Sequence, residues 1–308
     1  MIDRRTLLRA SMAAALAVVG QRSAFSAAPL TAAQSPDTSL AALLQRLAEE
    51  HLRRSPEDAT QFEFDTGAQA GLRRRLNDRS LEAVASQRAA VEKALVELGR
   101  IERPALGASA RLDYDVAMFV YSTLRDQLSR YGTVDLNLRP SPYVVCQMNG
   151  AYYWLPDYLG SHHPLRTAED VSAYFDRLSA LAAAVDQETE RMRHDVALGV
   201  IPPDFVLGTT IAQVEELMQT PPERGSLIGP ANKRAAAAGL GNISERAQRI
   251  FRSEIIPALT RQLAALRALQ SRADSKAGVW KLPDIVFQID SLPVIYNYQT
   301  VHIGSENS

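Results

Sequence analysis

Residues 167–199 read TAEDVSAYFDRLSALAAAVDQETERMRHDVALG, and the fold is decided by how this stretch is read. Val171, Tyr174, Leu178, Leu181, Val185, Met192 and Val196 recur at steps of three, four and seven, which places them on one stripe of a 3.6-residue helix. Thr167 followed three positions later by Asp170 gives a capping-box-like start, and Gly199 supplies a stop. A helix of about 30 residues is about 45 Å long at 1.5 Å per residue, longer than most globular helices.

The same periodicity repeats on both sides. Asp37 is placed to cap a helix from Ser39 to Arg53 that carries Leu40, Leu43, Leu44 and Leu47. A second helix is predicted from Ser80 to Leu98, with Leu81, Val84, Val91, Leu95 and Leu98. In a third, from Ser109 to Tyr131, Leu112, Val116, Phe119, Thr123 and Leu124 share a face. The last runs from Ser244 to Gln270, with Pro257 inside it as a kink or a break. No alternating strand pattern persists before residue 285, so the expected class is all-α.

Two connecting segments stand out. Residues 138–159 are expected as a loop holding Tyr152, Tyr153, Trp154 and Tyr158 between prolines. Such a cluster suits a packed plug between helices or the wall of a ligand site, with Gln147, Tyr152 and Tyr153 the candidate substrate contacts. Residues 199–205 place a glycine and then Pro202-Pro203 where the long helix must end, which reads as punctuation.

The 308 residues carry a net charge of −1, with no basic block, which argues against nucleic acid as a partner. The single cysteine, Cys146, has no partner for an intrachain disulfide and reads as a small buried apolar residue.

Both ends depart from this helical body. Arg4-Arg5, a residue, two leucines, the apolar run 13–19 and the small residues 24–28 resemble a twin-arginine export signal over residues 1–28. The run is too short to span a bilayer, so the expectation is a periplasmic or secreted protein delivered by the twin-arginine machinery, with no stable membrane anchor. At the other end, residues 285–308 contain no Ala, Lys or Arg, although all three are frequent before them. Two origins fit: a change of reading frame after Leu282-Pro283-Asp284, or a genuine C-terminal β-hairpin. Residues 29–284 form the helical region between.

The catalytic search is sparse. His51, His162, His163, His194 and His302 include no H-E-x-x-H, in which two histidines one turn apart hold zinc and the glutamate activates water. His162 and His163 are adjacent and point apart. No G-x-S-x-G elbow, phosphate loop or dinucleotide fingerprint occurs. No catalytic residue, metal ligand or cofactor is therefore assigned to this chain.

Four blocks carry a resemblance: Ser141–Leu159, Thr167–Leu178, Gly199-Val-Ile-Pro-Pro-Asp-Phe-Val-Leu and Ala277-Gly-Val-Trp-Lys-Leu-Pro-Asp. Together, over roughly residues 35–284, they resemble the bacterial domain-of-unknown-function 885 family. The resemblance implies an exported, helical, zinc-dependent peptidase-like hydrolase of about twice this length. Its H-E-x-x-H lies in the C-terminal half, and its mechanism is attack of metal-activated water on a peptide carbonyl. No position here matches that motif. The expectation is an N-terminal half without activity by itself; the alternative is a non-catalytic periplasmic helical binding or scaffold protein.

Overall fold

Ser35 opens the first helix, its hydroxyl accepting from the N–H of Thr38 at 3.2 Å, so the cap sits two residues before the predicted Asp37. The Asp37 carboxylate instead accepts from the backbone N–H of Gly107 at 2.9 Å. The computed structural model describes residues 35–130 and 143–275. Within them the helices are α1 (Pro36–Arg54), α2 (Pro56–Gln61), α3 (Leu81–Leu98), α4 (Ala108–Arg130), α5 (Ala151–Asp157), α6 (Ala168–Ala197), α7 (Asp204–Gln219), α8 (Gly229–Ala237), α9 (Ser244–Ile250) and α10 (Ile256–Leu269). A 3₁₀ helix covers Gly67–Arg74, and π-helical turns cover Tyr158–His162 and Phe251–Ile255. The chain is all-α, and the described residues contain one isolated bridge, Cys146 to Asn149, and no strand. The signal with Arg4 and Arg5, the tail 285–308 and His302 lie outside the described residues.

Helix α6 is the axis of the molecule. Its capping box is complete: Thr167 Oγ1 accepts from the Asp170 N–H, and the Asp170 carboxylate accepts from the Thr167 N–H. Tyr174, Leu178, Leu181, Val185 and Met192 enter one large core with Leu207, Val214, Phe251, Leu259 and Leu266 from α7, the second π turn and α10. Gly199, at φ +89°, ends the helix in a conformation that costs glycine little. The helix around Pro257 is interrupted as predicted. The π turn of residues 251–255 precedes the proline, and α10 restarts with it in its first turn, where a missing N–H is tolerated.

The N-terminal part is a smaller packing unit of α1, α3 and α4. Its core is divided into two clusters, Val84, Val91, Leu124 and Leu128 in one and Leu40, Leu98, Leu106 and Ala117 in the other. One predicted face is overturned in part here: of its members Leu124 is buried, while the three apolar ones before it are not. Leu112, Val116 and Phe119 are 64%, 39% and 56% exposed, and α4 packs through Ala117, Leu124 and Leu128. The periodicity marks two apolar stripes on this helix, and the one that meets α3 is the one with matching neighbours.

Candidate functional site

The segment around Gln147, Tyr152 and Tyr153 begins as a tight turn and then becomes helical. Cys146 and Asn149 exchange backbone hydrogen bonds of 3.0 Å, which leaves Gln147-Met148 at the tip. Asn149 fixes this turn from within: its Nδ2 donates to the carbonyls of Tyr143 and Val144, and its Oδ1 accepts from the Trp154 indole at 3.3 Å. Gly150, at φ +125°, turns the chain into α5. The first N–H of that helix, on Ala151, donates to the Glu188 carboxylate at 2.5 Å, a favourable place for an anion. Glu188 in turn faces Arg79 at 3.3 Å, and Arg79 meets Glu57 at 2.9 Å. The predicted loop is thus partly helix, since the aromatic residues 152–154 lie in α5 itself.

The three candidate contacts separate by burial. Tyr152 is buried, and its hydroxyl lies 2.8 Å from the Cys146 carbonyl and 2.9 Å from Gln213 Oε1. Burial drives its pKa well above the ordinary phenol value. Tyr153 is half-buried and stands edge-on to Tyr152 and Trp154, with ring centroids 6.3 and 4.9 Å away. Gln147 is half-buried, and its Oε1 has no hydrogen-bond partner among the described residues. The cluster has the form of a plug on the side of α6, with Cys146 buried inside it. Gln147 and Tyr153 are the two that retain some exposure.

The histidines do not assemble. His163 is fully buried, with Nε2 2.9 Å from the Asp170 carbonyl and Nδ1 3.0 Å from the Arg177 guanidinium. Because a carbonyl only accepts and a guanidinium only donates, the ring is neutral with its proton on Nε2. Burial lowers its pKa to about 4, with the nearby Arg177 charge acting in the same direction. His51 faces Asp58 at 3.4 Å, His162 faces Asp157 at 3.8 Å, and His194 faces Asp195 at 3.2 Å. Among the described residues no three His, Cys, Asp or Glu side chains gather as a metal site requires. These residues do not fit the zinc that the resemblance implies, and no metal-dependent step is assigned to them.

Beside His163 lies a polar knot that spacing alone did not reveal. Arg177, fully buried, donates from Nε to the Arg75 carbonyl at 2.8 Å. Its Nη2 lies within 3.2 Å of the Pro56 carbonyl, Thr60 Oγ1 and the Leu72 carbonyl. Thr60 passes a hydrogen bond of 2.6 Å to Asp65, and Arg73 bridges Asp65 and Asp170 at 2.9 and 2.7 Å. Burial opposes the charged form of Asp65, but the hydrogen bonds from Arg73 and Thr60 outweigh it and hold its pKa below the usual value.

A cleft of about 500 Å³ lies elsewhere among the described residues, between α1, α3 and α4. Leu47, Val91, Val120 and Leu124 line it on the apolar side, while Arg54, Arg75 and Gln87 line it with polar groups. None of Gln147, Tyr152 and Tyr153 contributes to it. The sequence signal for it was weak: polar residues such as Gln87 and small ones such as Ala48 where a bundle would place large apolar side chains.

Comparisons with known proteins bear on both parts. The family described as "Bacterial protein of unknown function (DUF885)" matches residues 56–284. A crystal structure of a "putative lipoprotein" from Colwellia psychrerythraea is similar, with a TM-score of 0.70 at 18% identity. The similarity covers 84% of this chain and 46% of that one, so the chain spans less than half the length of this solved relative. At that identity the likeness concerns the fold alone. No curated protein matches.

Proposed function

This chain belongs to DUF885, the bacterial family of unknown function, and from that membership we propose that it is the helical N-terminal half of a longer, exported, zinc-peptidase-like hydrolase. In this reading it supplies scaffold and cleft wall and has no catalytic activity by itself. The observation that carries it is the asymmetry of coverage, 84% of this chain against 46% of the solved relative. In this reading the metal ligands belong to the other half. Gln147, on the turn braced by Asn149, and Tyr153, in α5 behind the Glu188 contact, are the side chains we assign to contact a peptide substrate. Arg4-Arg5 would direct the folded protein through the twin-arginine route to the periplasm, and no described helix is long and apolar enough to cross a membrane.

The test compares this chain alone with a fusion to the C-terminal half of a full-length family member. The chain alone is expected to hold substoichiometric zinc and to leave a peptide library intact, while the fusion gains both zinc and hydrolysis. Stoichiometric, chelator-resistant zinc on the chain alone would overturn the proposal. Changing Arg4 and Arg5 together to Lys is expected to retain precursor in the cytoplasm, because the charge survives but the guanidinium geometry does not. Unchanged delivery would point to the general secretory route. The second reading, a periplasmic binding protein, is favoured by the cleft between α1, α3 and α4.

A further inference from the structure

We propose that the cleft between α1, α3 and α4 binds a long-chain carboxylic acid, its alkyl chain along the helix faces and its carboxylate at Arg54 and Arg75. The first observation is the cleft itself, an open gap of about 500 Å³ between α1, α3 and α4, the helices that carry both clusters. Leu47 is buried at the gap but belongs to neither cluster. The volume falls within the range of roughly 300–1,000 Å³ typical of small-molecule sites.

The second observation is the charge. Three arginines and two carboxylates line the cleft. Arg53 is committed to Glu49 at 2.8 Å, and Asp78 accepts from the Ser80 N–H and from Gln187. Glu82 is an exposed carboxylate at the cleft, so the arginines outnumber the carboxylates by one. The side chains of Arg54 and Arg75 are exposed and make no hydrogen bond or ion pair among the described residues. A guanidinium fork matches a carboxylate with two parallel hydrogen bonds, so two uncommitted forks beside an apolar trough favour an acidic head on an apolar body. Gln87 adds an amide whose buried Oε1 has no partner among the described residues; a half-turn about its last bond would present Nε2 to the same carboxylate.

The apolar wall chooses between an alkyl chain and an apolar peptide. Polar groups such as Ser86, Gln87 and Tyr121 also line the cleft, but the face made by Leu44, Leu47, Val91, Ala117, Val120 and Leu124 has no side-chain partner for peptide amides laid against it. An alkyl chain has no such groups. The inference does not depend on the hydrolase reading, and its failure would leave that reading intact.

The experiment titrates the full chain with myristate by calorimetry, beside myristyl alcohol and an apolar hexapeptide with a free carboxyl terminus. Saturable 1:1 binding of myristate is expected, at least tenfold tighter than either comparison compound. The double variant Arg54→Gln/Arg75→Gln should weaken myristate at least tenfold while its thermal melt is unchanged, since neither side chain holds the fold. Ala48→Trp, which fills the trough from α1, should abolish binding. Absence of saturable binding, equal binding of the alcohol, indifference to the double variant, or a preference for the hexapeptide would each overturn the proposal.

Discussion

Arg177 and His163 show how a buried cation is accommodated without a carboxylate in direct contact. Three carbonyls, a hydroxyl and a neutral imidazole solvate the guanidinium, and the Tyr158 ring lies 5.3 Å from it. Removing one member leaves other buried polar groups unpaired, which is where large losses originate. The arrangement makes stability depend on pH. The His163 pKa falls from 6.5 unfolded to about 4 folded, so the unfolded chain binds the extra proton between those values. Its contribution is complete above about pH 6.5, falls as pH drops towards 4, and is constant below that. At 1.36 kcal/mol per pH unit the whole effect is about 3 kcal/mol. His163→Asn, whose side-chain oxygen can still accept from Arg177, should flatten the stability profile between pH 6.5 and 4 in urea melts. An unchanged slope in the variant would sink the assignment. Little of this knot was legible in the sequence, because Arg177 meets partners more than a hundred positions away. The capping box of Thr167 and Asp170 was legible, because all of its parts lie within four residues.

Helices were read well where an apolar stripe and an end signal coincide, and poorly where either was missing. The long α6 and the hairpin of α3 and α4 emerged within a residue or two of their predicted bounds. Helix α5 escaped because prolines and a glycine surround a short aromatic run, and α8 because nine residues hold too little periodicity. Helix α7 was missed as well, since residues 199–205 were read as punctuation although Asp204 and Phe205 open it and Val206, Leu207, Ile211 and Val214 form its buried stripe. The misread face of α4 has a physical cause: its sequence carries apolar residues on two sides, and only tertiary partners decide which is buried. Leu112, Val116 and Phe119 are left in solvent, whereas Leu124 and Ala117 are enclosed. Phe119→Ser should therefore change stability by no more than about 0.5 kcal/mol. Leu124→Ala should cost about 2–5 kcal/mol through lost burial and the cavity left behind. The contrast is read by chemical denaturation of the two single variants. Equal losses would mean that Phe119 is packed as Leu124 is, as the predicted face had it.

The polar knot ties α6 to α2 and to the 3₁₀ helix Gly67–Arg74, the segment between α1 and α3, and the family match covers it, from residue 56 to 284. The change in composition begins at the next residue, Ile285, and was recognised from residue usage alone. The family match therefore ends where the change in composition begins. If the tail comes from a change of reading frame, it was never selected against the helical body and would carry no native contacts with it. Deleting residues 285–308 should then leave the melting temperature unchanged within about 2 °C. A domain of this size shifts by roughly 2–4 °C per kcal/mol, so a fall of about 5 °C or more means that the tail contributes on the order of 1–2 kcal/mol. That result would make the tail part of the fold and move the binding-protein reading ahead of the half-hydrolase one. Differential scanning calorimetry of the two chains, at one pH and one concentration, separates the alternatives.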